Sequence, residues 1–133
     1  MSVTVHGRLR SLLTFAAVTE IGTGLALMAD PGIVVRLLLG ADIVGVGLVP
    51  GRCFGIALLA LGLTCLPGRQ RTEAGSPAFQ GMLVYNALIA LFLVYLFEAR
   101  HLGGLLLWPA AVLHAVVALL LAWLWHDERR GAR

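Results

Sequence analysis

The sequence predicts an all-α fold: an antiparallel four-helix transmembrane bundle with a short interfacial helix between spans one and two. Three observations carry this. Hydrophobic residues make up 59% of the 133-residue chain and charged residues 13%, and the mean hydropathy is +0.91, whereas a soluble domain has about a quarter of its residues charged. A domain this small has a high surface-to-volume ratio, so in water it would need more polar surface than this composition supplies. Four apolar runs approach or reach the length of about 20 residues that crosses hydrocarbon.

The first run covers residues 10–29. It is read as a retained span, because "LMA" before Asp30 is a poor small-residue cleavage site and a mid-run acid is wrong for a signal peptide. Next comes "DPGIVVRLLLG", in which Asp30 suits an N-cap, Pro31 the first helical position and Gly40 the C-terminal stop. The piece 32–39 is too short to span and reads as an interfacial helix. The stretch "ADIVGVGLVP" is apolar but irregular, so it is expected to pack on protein or lie at the headgroups. Span two covers 51–67, span three 78–97 and span four 104–125. The link "GRQRTEAGSP" is a polar, basic loop, and Ser76 before Pro77 suits the start of span three. The connection "EARHLGG" is short, which makes spans three and four antiparallel neighbours.

All ten basic residues are arginine. Their placement between apolar runs and near the termini marks topology rather than nucleic-acid binding, and no nucleic-acid partner is expected. Arg8, Arg10, Arg69, Arg71, Arg129, Arg130 and Arg133 fall on one side, against Arg36, Arg52 and Arg100 on the other. That asymmetry puts both termini in the cytoplasm. Cys53 and Cys65 lie in one apolar run, roughly 18 Å apart along a helix at about 1.5 Å per residue. They are read as unbridged, inert thiols.

Three polar residues interrupt the apolar runs at similar depth. Glu20 stands about 15 Å into span one, at about 1.5 Å per residue, near the middle of a hydrocarbon layer about 30 Å thick. Asn86 of span three and His114 of span four reach a comparable level from opposite faces. A charge at the bilayer centre costs about 2.5–3.5 kcal/mol on insertion scales, so these groups should turn inward toward one another. Ala16, Ala17, Thr23 and Gly24 share the Glu20 face by helical spacing, and Ala111, Ala115, Ala118 and Ala122 form a small-residue stripe beside His114. Span two carries Gly51, Gly55 and Gly62, and such residues let helices approach closely in lipid. Two readings of the cluster stay open. It is a neutral hydrogen-bonded set that fixes helix register, or it handles a ligand or proton, the usual role of an intramembrane ionisable group. Pro109, five residues before His114, is expected to loosen or kink span four. Arg52 begins span two, where it either snorkels to the outer surface or turns inward to pair with Glu20 or an outer acid and close the outer mouth of the pocket.

The chain carries no nucleophile elbow, zinc-protease, phosphate-loop or dinucleotide motif, so no catalytic residue is assigned and no enzymatic role is expected. One histidine and one acid at mid-depth are too few for a metal site, and a haem with two axial histidines would need a second at that level. No cofactor or metal is predicted.

Two resemblances add to this reading. "AVTEIGTGLALM", residues 17–28, resembles the first helix of the small multidrug resistance transporters. That likeness implies a proton-coupled exporter working as a homodimer, in which Glu20 binds protons and cationic drugs in turn. Over nearly the whole chain, Glu20-Ile21-Gly22-Thr23-Gly24, "DPG", "GIALLALGL", "GMLVYNALIALFLVYL" and "LLWPAAVLHAVVALLLAW" look like small bacterial four-helix membrane proteins of the DoxX-like sort. This second likeness implies a bacterial inner-membrane location and an accessory role beside a membrane-protein partner. The sequence reading is therefore a non-enzymatic accessory or ligand-binding protein in which Glu20, Asn86 and His114 line a polar pocket at the bilayer mid-plane.

Overall fold

The computed structural model describes residues 3–68 and 74–131, with side chains for 7–68 and 74–130. Among them are five α-helices and no strand: α1 (Val3–Ala29), α2 (Pro31–Leu39), α3 (Leu48–Cys65), α4 (Pro77–Arg100) and α5 (Leu107–Gly131). Four segments are long and apolar enough to cross a membrane: Gly7–Ala29, Gly45–Cys65, Pro77–Arg100 and Leu107–Arg130. The chain is an all-α, multi-pass membrane protein. Phe15, Leu91, Leu119 and many other large apolar residues are exposed, as expected where lipid takes the place of water.

The local signals explain the helix boundaries. The Asp30 side chain accepts a hydrogen bond from the Ile33 amide at 3.0 Å, and Pro31 follows it. Gly40 ends α2 in the left-handed conformation, with φ 69°. Ser76 caps α4 through the Phe79 amide at 3.3 Å. The link "GRQRTEAGSP" is described only in part, and Arg69, Arg71 and Arg133 of the charge count lie outside the described residues.

Two expectations need correction, both for the same physical reason. The sequence placed 41–50 in irregular backbone; residues 41–44 are irregular, but a single 3-10 turn at Gly45–Gly47 then leads straight into α3 at Leu48. Pro50 therefore sits in the first turn of α3, where its missing N–H would have had no helical partner anyway. Pro109 was expected to kink span four. It falls instead in the first turn of α5, and the helix runs on from Leu107 with the Ala110 amide bonded to the Leu106 carbonyl at 2.9 Å. The N-terminal end of α1 and the C-terminal end of α5 run more than one turn past the expected limits, whereas α3 ends at Cys65 and α5 begins at Leu107, inside them.

The bundle is two helical hairpins. The most extensive contacts join α1 to α3 and α4 to α5, and contacts between the two pairs are much sparser. Glycine explains the first pair. A Cβ at Gly24 would lie 2.6 Å from the Gly55 carbonyl oxygen, and one at Gly62 would lie 2.7 Å from that of Ala17. Backbones this close leave no room for any side chain, which is how helices gain dispersion contact without a hydrophobic driving force. The helix ends that share a side with the N-terminus close over a dry core of Leu9, Leu13, Phe79, Met82, Val117 and Leu121. Trp125 meets Phe79 edge-on at 6.2 Å, with the Arg129 guanidinium 4.4 Å above its ring.

The opposite half is built differently. Here α2 crosses the bundle end and is tied to the α4–α5 link. The Gly104 amide bonds to the Leu38 carbonyl at 3.1 Å and the Leu106 amide to that of Leu37 at 2.8 Å. These bonds satisfy carbonyls that the end of a helix leaves without partners. They also fix α2 as a roof over the gap between the hairpins.

Candidate functional site

Between the dry core and the roof, the three mid-depth polar residues come together. Glu20 and Asn86 are each 1% exposed. The His114 Nδ1 lies 2.8 Å from Asn86 Oδ1 and 3.9 Å from Glu20 Oε1. Three helices each contribute one group, and α1 and α5 supply small neighbours: Ala16, Ala17, Gly24, Ala111 and Ala118 are buried. Of the α5 stripe, Ala122 is exposed and takes no part in this packing.

Hydrogen-bond bookkeeping fixes the chemistry of the cluster. Asn86 Nδ2 donates to the Met82 carbonyl at 2.8 Å. A carbonyl only accepts, so the amide nitrogen must occupy that side and Oδ1 must face His114. Oδ1 is itself only an acceptor, so Nδ1 of His114 carries a proton. In the neutral imidazole, Nε2 is then a bare acceptor. Every buried side-chain nitrogen and oxygen among the described residues has a hydrogen-bond partner. Among the described residues, the His114 ring makes its side-chain hydrogen bond through Nδ1.

His114 lines a cavity of about 450 Å³ under the α2 roof, to which all five helices contribute. The polar residues on its wall are Thr19, Thr23, Tyr85 and His114; the rest of the lining is aliphatic, aromatic or glycine. Both threonine hydroxyls donate to their own helix, Thr19 to the Phe15 carbonyl and Thr23 to that of Thr19, each at 2.9 Å. The Tyr85 ring stands edge-on to His114 at 5.7 Å. Phe54 of α3 and Phe92 of α4 line the cavity and are also 44% and 51% exposed. They mark its lateral edge at a sparsely packed seam between the hairpins.

The structure thus places Glu20, Asn86 and His114 side by side and leaves Arg52 apart. Arg52 is exposed in the first turns of α3 and does not line the cavity. It makes no ion pair among the described residues and does not reach Glu20. The roof is α2, not an arginine. Nor does Glu20 or Asn86 itself line the cavity; both stand behind His114 and Tyr85. Tyr85 and Thr19 are the residues that sequence reasoning missed. Each is a direct neighbour in sequence of a residue it had singled out. No group of three or more histidine, cysteine or acidic residues among the described residues is arranged to hold a metal. Comparison with protein-family models, curated proteins and solved structures gave no match.

Proposed function

We propose that this chain is a non-enzymatic accessory or ligand-binding membrane protein, and that its cavity holds a small amphipathic molecule. The observation that carries this is the pairing of a roofed apolar cavity with a fixed polar floor at mid-depth. A volume of about 450 Å³ lies in the range of small-molecule sites, which are mostly apolar with a few placed polar groups. An intramembrane ionisable pair that served only to join helices would need no cavity beside it. The arginine asymmetry supports cytoplasmic termini, and the likeness to DoxX-like proteins supports a bacterial inner-membrane location and a membrane-protein partner.

A proton-coupled exporter working as a dimer is the rival reading. It has less support, because the coupling acid would have to meet the cargo, and Glu20 is 1% exposed and behind the cavity wall. It would require a pH-dependent flux in proteoliposomes that Glu20→Gln abolishes.

The test is gentle extraction of the wild type and of Glu20→Gln and His114→Ala variants, with mass spectrometry of every lipid, small molecule and protein that comes along. The wild type is expected to retain a small amphipathic compound or a partner, and the folded variants to lose it. Folded variants that keep every companion would reduce the cluster to a packing device.

A further inference from the structure

We infer that the ligand presents a hydrogen-bond donor, an aliphatic or phenolic hydroxyl on an apolar body, and that this donor binds Nε2 of His114. The inference rests on the ligand-binding reading above and adds the chemistry of the head group. It follows from counting protons at the polar floor. The Thr19 and Thr23 hydroxyl protons go to the carbonyls of Phe15 and Thr19. The Nδ1 proton of His114 goes to Asn86 Oδ1, whose own orientation is fixed by the Met82 carbonyl. The threonine and Nδ1 protons are committed to the protein, and what remains beside them is acceptor capacity: Nε2 and the threonine oxygens. An incoming carbonyl or ether oxygen would meet lone pairs at these atoms. A hydroxyl would complete the chain from ligand to His114, Asn86 and the α4 backbone.

The cavity also bounds the body of the ligand. From His114 to Leu106 at its far end is roughly 12 Å at about 1.5 Å per residue. The intervening wall, including Leu113, Ala110 and Ile89, offers no polar atom other than backbone. A short alkyl chain or a ring with a short tail fits this length and chemistry, and a second charged or strongly polar group at the far end does not.

The experiment uses the full chain in lipid nanodiscs with two probes of nearly the same shape, 4-hexylphenol and its methyl ether, in equilibrium dialysis against empty nanodiscs. The phenol is expected to bind about tenfold or more tightly than the ether, the scale of one net hydrogen bond to a site that otherwise keeps an unpaired acceptor. His114→Phe should bring the two probes level. A second readout does not depend on that variant folding: in histidine-labelled wild type, the phenol should shift the ¹⁵N resonance of Nε2, and the ether should not. Equal binding of the two probes, or phenol binding that leaves Nε2 unmoved, overturns the donor assignment while the cavity remains a ligand site. Binding of neither probe beyond empty nanodiscs overturns both this inference and the reading beneath it.

Discussion

Replacing Gly55 with leucine is expected to separate α1 from α3 and to cause the largest loss of stability of any single change considered. A Cβ at position 55 would lie 2.7 Å from the Gly24 carbonyl oxygen, 3.0 Å from the Leu27 Cβ and 3.0 Å from the Met28 Cγ. The nearest of these atoms belongs to the backbone of a continuous helix, so it cannot turn aside. Even alanine should cost about 1–3 kcal/mol, the usual range for overpacking, and leucine should exceed it, because the helices must part along the whole seam. Gly22→Ala is the matched control, since a Cβ there meets nothing within 4 Å. It should be neutral, or stabilising by up to about 1 kcal/mol through helix propensity. Unfolding by sodium dodecyl sulfate, followed by circular dichroism, measures both. Equal behaviour of the two positions would remove glycine packing as the basis of the first hairpin.

The second large effect concerns the buried polar set, where one substitution and three should act in opposite directions. Asn86→Leu removes the acceptor of the His114 Nδ1 proton and the donor to the Met82 carbonyl. Interhelical hydrogen bonds in membrane proteins average about 0.6 kcal/mol with a maximum near 1.7. Leaving a buried group unpaired costs about 1–3 kcal/mol. The expected loss is about 1–2 kcal/mol, moderated because the Glu20 carboxyl, at 3.9 Å, can move to take the proton. The combined variant Glu20→Leu, Asn86→Leu, His114→Phe leaves none of the three positions with an unpaired polar group. It should recover most of that loss or exceed wild-type stability, as apolar replacement of buried polar sets often does. It should also lose selective binding of the phenol over its ether. A triple variant that unfolds while the single variants fold would instead show that the cluster is required for the helices to find their register.

Much of the architecture could be read from the sequence because hydrocarbon leaves few alternatives. Backbone polar groups must pair within each span, so run length alone locates the helices. Asp30, Pro31 and Gly40 define α2 by local chemistry that lipid does not alter. The shared depth of Glu20, Asn86 and His114 was legible because each is costly alone. Pro50 and Pro109 misled because proline reads as a break only when its position in the helix is known; in a first turn it breaks nothing. The cavity was not legible at all. It arises from sparse contact between hairpins, and a gap leaves no mark in a string of leucines. Tyr85 was hidden for a related reason. Tyrosine in a span reads as an interfacial anchor, and only the meeting of α4 with α1 and α5 shows its ring against His114. Arg52 shows the converse: its position at the head of span two allowed an inward reading, and exposure in the first turns of α3 decided against it.

The most direct measurement of the mid-depth cluster is solid-state NMR of the protein in lipid bilayers, with the histidine rings ¹⁵N-labelled and the asparagine side chain ¹³C-labelled. Asn86 is the single asparagine in the chain, so the coupling partner is unambiguous. The account predicts a strong dipolar coupling between the Asn86 carboxamide carbon and Nδ1 of His114, set by the 2.8 Å hydrogen bond. It also predicts ¹⁵N shifts that put the imidazole proton on Nδ1 and leave Nε2 bare. Absence of that coupling, or a proton found on Nε2 instead, would contradict it.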